Sequence, residues 1–447
     1  MNKKVVRKKN FSKAHLLSAV AGFGGALVLG MPAHASGFGL RESSADSLGN
    51  AFTGSEAKAY DASTVWNNPA GMALLDNDEI DGAISLIAPS AHFTGSATNA
   101  QTGGNVSGSN GGNAVAPAAS GASFGVMTLG PNWRLGFSVT SPFGERTNYT
   151  GDFVGRYQGL ASSITDINFG LALSYKVNDH LSIGGGPNFD YFQARLTEAV
   201  NVPVLSAATG QDPTGQIRGT NLGVGYNLGI LYQFDDATRI GLDYHSRIRH
   251  NISGGQYVSI PGSYSAVPAV VGLLSQANTK ATTSITLPDS AGLGIYHQIN
   301  PQWAVMGSVE WTEWSLLKTI NITAQNGSGN TTIQENWRNT WFAGVGTNYQ
   351  LTDKIMLQGG FAYDESPVTD ANRTVRIPDA DHYDLGFGAQ YQLLPNTKLE
   401  LAYGHVFTPG GSIHGSAAAS ALTPAGSIDG EYSASDNSVT AGMNMIF

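Results

Sequence analysis

The chain has no cysteine in 447 residues, so it can form neither disulfides nor thiolate metal sites. Charge is scarce as well, at 13% of residues. Beyond residue 35 no apolar run approaches the ~20 residues of a membrane-spanning helix. No basic stripe follows Lys13, and phosphate neutralisation needs one, so nucleic acid is not an expected partner. No linker, charge block or composition shift divides the chain, although its length would suit two or three soluble domains.

The first 35 residues read as an export signal. Lys3, Lys4, Arg7, Lys8, Lys9 and Lys13 make a basic start, Leu16 to Leu29 an apolar stretch, and Ala33-His34-Ala35 a cleavage site. The mature chain is then expected to begin at Ser36. Removing six basic residues of 24, against 33 acidic ones, leaves 18 minus 33, a net charge of −15.

What remains alternates. Val439, Ala441, Met443, Met445 and Phe447 take every second place. Ile167, Phe169, Leu171, Leu173 and Tyr175 do the same between Asn168, Gly170, Ala172 and Ser174. So do Leu222, Val224, Tyr226, Leu228, Ile230 and Tyr232, and later Tyr383, Leu385, Phe387 and Tyr391. Period-two patterning makes strands. A soluble sandwich also alternates, but its outer face would carry Lys and Glu; here the second face is small and uncharged. Such segments, with aromatic ends, are those of an outer-membrane barrel. The fold class predicted is all-β: a transmembrane antiparallel β-barrel over residues 79–447, with about fourteen strands. They should begin near Glu79, Ser120, Trp133, Thr165, Leu181, Asn221, Thr238, Thr282, Gln302, Glu335, Lys354, His382, Thr397 and Asn437. The long links should be extracellular. Two are apolar, and Val202, Val204, Leu205, Val270, Val271, Leu273 and Leu274 would make a docking groove for a greasy ligand.

Residues 36–78 do not read as strands, yet hold Phe38, Leu40, Leu48, Phe52, Val65, Trp66 and Met72. A disordered tail needs no such side chains, so the segment should be a plug, or hatch, inside the lumen. The stretch SGFGLRESSADSLGNAFTGSEAKAYDASTVWNNPAG resembles the hatch of the FadL-type outer-membrane transporters of long-chain fatty acids and aromatic hydrocarbons. Val154-Gly155-Arg156-Tyr157, Leu287-Pro288-Asp289 and the segment from Asp364 to Asp379 are similar to that family too. The resemblance implies a fourteen-stranded barrel, passive uptake of a hydrophobic molecule through an internal pocket, a hatch shift, and sideways exit into the membrane at a kink in the third strand. It implies a monomer among lipopolysaccharide and outer-membrane lipid, inserted by the barrel assembly machinery, and no cofactor.

Residue by residue, Asn68-Pro69-Ala70 matches the family's hatch signature, Pro142-Phe143-Gly144 its kink, and Gly229 a lumen-facing glycine. Proline removes a ladder donor and glycine weakens pairing, so a break at the kink has a physical basis. The two basic positions that hold the fatty-acid carboxylate in the family fall near Glu198 and Ile333, neither basic. Arg195, Lys318 and Arg338 are the candidate substitutes. The departure leaves neutral hydrocarbons open as substrates.

Enzyme chemistry finds little support. Gly121-Ala122-Ser123-Phe124-Gly125 has the nucleophile-elbow spacing but sits in an alternating segment with no helix after it. An outer-membrane lipase would depend on Ser123. The acidic run from Asp76 to Asp81 lacks calcium-loop spacing and should be a turn. The ten His show no metal-binding motif, and His245 and His250, five apart in one strand, should face opposite sides.

Overall fold

The computed structural model describes residues 36–328, 330–416 and 425–447. The export signal read at residues 1–35 lies outside the described residues. In chain order the strands are β1 (Glu79–Thr98), β2 (Ala118–Thr128), β3 (Trp133–Thr140), β4 (Gly144–Asn148), β5 (Ala161–Lys176), β6 (Leu181–Ala199) and β7 (Thr214–Gln233). There follow β8 (Thr238–His245), β9 (Ile248–Ser259), β10 (Thr279–Leu287), β11 (Ser290–Gln298), β12 (Trp303–Thr312) and β13 (Thr319–Ala324). The last are β14 (Thr331–Gln334), β15 (Thr340–Thr352), β16 (Ile355–Asp364), β17 (His382–Leu394), β18 (Thr397–Ser416) and β19 (Ser427–Ile446). The pairs β3/β4, β8/β9, β10/β11, β12/β13 and β14/β15 are each one strand interrupted once, which leaves fourteen. Each pairs antiparallel with its neighbour, and β19 closes on β1 from Glu79↔Ile446 to Thr98↔Ser427. Closure removes the unpaired edge that a membrane cannot tolerate.

The alternation decides which way side chains point. Phe169, Leu171, Leu173, Leu222, Val224, Leu228 and Ile230 are exposed on the outer face, while Asn168, Ser174 and Asn227 are buried inside. Trp133 with Tyr175 and Trp303 with Tyr349, each 4.5 Å apart, ring the end with short turns. Tyr226 with Tyr244 and Tyr363 with Tyr383 form the second girdle, and together they bracket a lipid-facing belt.

Several boundaries differ from the sequence reading. The strands expected at Thr165, Asn221 and Asn437 start at Ala161, Thr214 and Ser427. There the strands have risen above the belt; the alternation continues, but the inner face turns apolar, with Ile164, Phe192, Ile252, Ile285 and Ile333 buried. Glu335 starts no strand, since residues 335–339 interrupt the wall between β14 and β15. The acidic run is only partly a turn, because Glu79 and Asp81 already belong to β1 and are buried. His245 and His250 do not face opposite sides. The break at Ser246 and Arg247 resets the phase, so that His245 packs on Trp66 at 4.5 Å and His250 stacks on Phe192 at 4.9 Å, both inside.

Residues 36–78 occupy the lumen. They form α1 (Ala45–Gly49), α2 (Ser55–Lys58), α3 (Thr64–Asn67) and a 3₁₀ turn (Pro69–Leu74). Ser44 caps α1 by accepting from Ser47 N–H. Small wall residues let these short pieces touch the barrel on all sides.

Candidate functional site

The hatch is held by buried polar contacts set between separate apolar clusters, such as Val65 and Met72 with Phe124 and Val126. Asp46 and Lys58 form a buried ion pair at 2.6 Å. Gln358 and Gln390 each donate to Asp46 Oδ1 at 2.8 Å. Burial opposes the charge on Asp46, but Lys58 and Lys398 hold its carboxyl below the usual range. Arg41 reaches Glu310 at 3.0 Å and Asp364 at 3.2 Å. Glu56 accepts from Ser308 Oγ at 2.5 Å, and burial pushes its carboxyl up to about 7. Burial does the same to Glu42.

Asn68-Pro69-Ala70 forms the tightest seam. Asn68 accepts from Ala70 N–H at 3.1 Å and donates to the Glu56 carbonyl at 2.7 Å and to the Ile230 carbonyl at 3.1 Å. The triplet therefore starts the 3₁₀ turn and ties the hatch to β7 in one stroke. Gly229 faces it: a Cβ there would strike Asn68 Oδ1 and lie 3.0 Å from Pro69 Cδ.

At the third strand, β3 ends at Thr140 and β4 begins at Gly144. β3 pairs with β2 only up to Ser123↔Val139; β4 forms a ladder only with β5 and rejoins the other side beyond the gap through one bridge, Val115↔Thr147. Residues 118–122 of β2 thus have no ladder partner on the β4 side, and the wall is open between them. The hatch takes over part of the missing pairing. Leu40 N–H donates to the Pro142 carbonyl at 2.8 Å, and Gly144 N–H donates to the Phe38 carbonyl at 2.9 Å. Phe38 is buried among Phe143 at 5.9 Å, Trp314 at 4.9 Å and Trp337 at 5.5 Å. Gly37 leads into it with φ +68, a conformation that suits glycine.

Above Phe38 lies a narrow apolar cavity of about 90 Å³. Its walls include Ile164, Phe192, Leu196, Ile217, Ile252, Ile285, Ile322 and Ile333. An outer cavity with Arg373, Gln256 and Ile428 adjoins it and shares Leu196, Ile217, Ile333 and Arg376. A third space, below Phe38, runs beside the hatch past Pro142, Phe143, His245 and Trp314.

None of Arg195, Lys318 and Arg338 lines these cavities; all three are exposed. Arg195 donates to Gln216, Lys318 to the Trp337 carbonyl, and Arg338 to Asp381. Alternation places Arg195 on the outer face of β6, and the other two sit on irregular segments at the rim. Two arginines line the cavity, Arg218 and Arg376, and Arg376 is paired with Glu198 at 2.9 Å. Arg376 lies in the segment from Asp364 to Asp379 that resembles the family, but a loop arginine carries no periodic signal that would single it out. In the apolar loops, Val202, Val270 and Leu274 pack with buried Val200 and Val258, while Val204 and Leu273 are exposed and Leu205 and Val271 half-buried. Val202 caps α4 (Pro203–Thr209), which carries Val204 and Leu205, and Val270, Val271, Leu273 and Leu274 lie on α5 (Pro268–Ser275).

Ser123 is buried in β2 with no hydrogen bond to its hydroxyl among the described residues. The fold does bring Asp364, His382 and Asp384 together, and likewise Asp61, Asp81 and Glu400. Each group already has a protein cation, Arg41 on Asp364 and Lys398 at 2.9 Å from Glu400.

A closed barrel with a lipid-facing belt, a plugged lumen and an apolar interior belongs to the outer-membrane transport proteins. Residues 26–447 match the family described as outer membrane protein transport protein (OMPP1/FadL/TodX), and the chain belongs to that family. The long-chain fatty acid transport protein of Escherichia coli (strain K12) is 25% identical over 429 residues, 90% of this chain and 93% of that protein. Outer membrane protein P1 of Haemophilus influenzae is 27% identical, over 91% of this chain and 92% of that protein. A crystal structure of a Pseudomonas aeruginosa FadL homologue superposes with a TM-score of 0.84 at 24% identity, over 92% of this chain and 100% of that one. The Pseudomonas putida toluene transporter TodX gives 0.65 at 16%, over 91% of this chain and 99% of that one.

Proposed function

We propose that this transporter takes up long-chain fatty acids or other hydrophobic molecules passively, and releases them sideways into the outer membrane. Substrate lands on the apolar surface of α4 and α5 and enters the cavity above Phe38. It leaves when the hatch end at Phe38–Leu40 lets go of the third strand. The observation that carries this reading is the unpaired wall between residues 118–122 and β4, closed from inside by hatch backbone. A hydrophobic molecule on that route never crosses water, which it would enter at ~0.8 kcal/mol per CH₂.

A second reading is a channel for neutral aromatic or alkane hydrocarbons. It is favoured by Glu198 and Ile333 standing where basic residues would hold a carboxylate, and by the exposure of Arg195, Lys318 and Arg338. Uptake of labelled oleate and labelled hexadecane, in bacteria lacking their own transporter, tests both. Expression of this chain should speed at least one several-fold. Equal rates with and without it contradict the transport reading, and a gain for hexadecane alone selects the second one.

A further inference from the structure

Three polar groups in the apolar cavity have a buried atom without a hydrogen-bond partner among the described residues: the hydroxyls of Ser162 and Thr283, and the carboxyl of Glu145, the one that can carry charge. Glu145 follows the kink glycine directly, is 5% exposed, and lines the cavity beside Phe38 and Ile164. Its Oε2 is buried with no hydrogen-bond partner among the described residues. The ionisable groups that face it are Glu335, Asp379 and Arg376. None is a free cation. Arg376 is bound to Glu198 and to the Thr197 carbonyl at 3.2 Å. Asp379 accepts from Gly37 N–H and Ser366 Oγ, and Glu335 accepts from Trp337 Nε1 at 3.1 Å. Burial pushes the Glu335 carboxyl up to about 7, as an apolar surround should. The nearby Arg218 turns away, its guanidinium over the exposed ring of Tyr257 at 5.3 Å.

A carboxylate head group in this cavity would meet carboxyl groups and at best the hydroxyls of Ser162 and Thr283, with no counter-ion to spare. A hydrogen-bond donor there would find an acceptor waiting. We infer that the cavity selects amphiphiles whose polar end is uncharged and donates a hydrogen bond to Glu145, the class of long-chain alcohols and protonated fatty acids. Glu145 is then a specificity residue at the doorway to the membrane, one position beyond Gly144. This rests on the transport reading above and narrows its substrate.

The test is equilibrium binding of oleyl alcohol, oleate and hexadecane to the detergent-purified protein between pH 5 and 9. Oleyl alcohol should bind tighter than hexadecane, and Glu145→Leu should remove about tenfold of its affinity while leaving hexadecane unchanged. Glu145→Gln, which keeps an acceptor oxygen, should restore most of the loss. Oleate should weaken about tenfold from pH 5 to pH 9, and this fall should shrink in Glu145→Gln. Equal loss of all three ligands in Glu145→Leu, or none, would overturn the assignment, as would oleate binding that strengthens at alkaline pH. If no ligand binds at all, the transport reading fails rather than this one. Thermal unfolding of each variant separates lost folding from lost recognition.

Discussion

At Gly229 a single hydrogen atom decides whether the hatch can dock. The side chain of any other residue would occupy the space of Asn68 Oδ1, and Asn68 both caps the 3₁₀ turn and holds the wall. Gly229→Ala should therefore lower stability by roughly 1–3 kcal/mol, the usual cost of forcing an extra carbon into a packed site. Thermal unfolding in detergent checks this, with Gly359→Ala as the control, because a Cβ at Gly359 meets nothing within 4 Å. An equal shift in both variants would contradict the account. Asn68-Pro69-Ala70, Pro142-Phe143-Gly144 and Gly229 were legible because proline, asparagine and glycine leave strong local signatures and the family resemblance fixed their places. Glu145 and Arg376 were not. Their meaning comes from what surrounds them, which is distant in sequence: Glu198, the partner of Arg376, lies 178 residues away.

Among elements, the hatch is the one that the proposed route requires to loosen. Beside its backbone bonds and apolar contacts, its ties include buried side-chain hydrogen bonds and ion pairs whose strength depends on protonation. Glu42 and Glu56 are pushed up by burial from the usual 4.5 to about 7. Between those two values the docked hatch still holds these protons, while an undocked hatch in water has released them. The undocked state binds fewer protons there, so docking weakens as pH rises through that window and levels off above about 7. Asp46 acts in the other direction, but only below its usual 3.8, outside the window. With no native cysteine in the chain, Ser47→Cys supplies a unique thiol at a buried hatch position. Its labelling, corrected for thiolate fraction, should be faster at pH 7.5 than at pH 5; a rate that is flat or falls would contradict the argument. The kinked strand makes a second prediction. Pro142→Ala returns a backbone donor to the gap, so uptake should slow several-fold while ligand binding stays unchanged. Loss of binding with uptake would mean that Pro142 shapes the cavity instead.

For the whole molecule, the lipid-facing belt was readable because the membrane enforces a single alternation on every strand. Leu222 to Tyr232 shows it without interruption, and the count of fourteen follows. Above the belt the inner face turns apolar. Inside-facing Ile164, Ile252 and Ile285 there invert the pattern, which hid both the extra strand length and the cavity. The same inversion gives the barrel its working division: a polar lower lumen that grips the hatch, and an apolar upper lumen that can hold a substrate. The central claim is the path between them and out through the wall. It is tested most directly by photo-crosslinking a diazirine-bearing oleyl alcohol to the protein in outer-membrane vesicles and mapping the labelled residues. The account predicts adducts on the cavity wall at Phe192 and Ile252 and at the gap on Ala122 and Phe143. Adducts that skip the gap and appear instead at Leu75 and Arg134, beneath the hatch, would contradict it and show passage straight through the lumen.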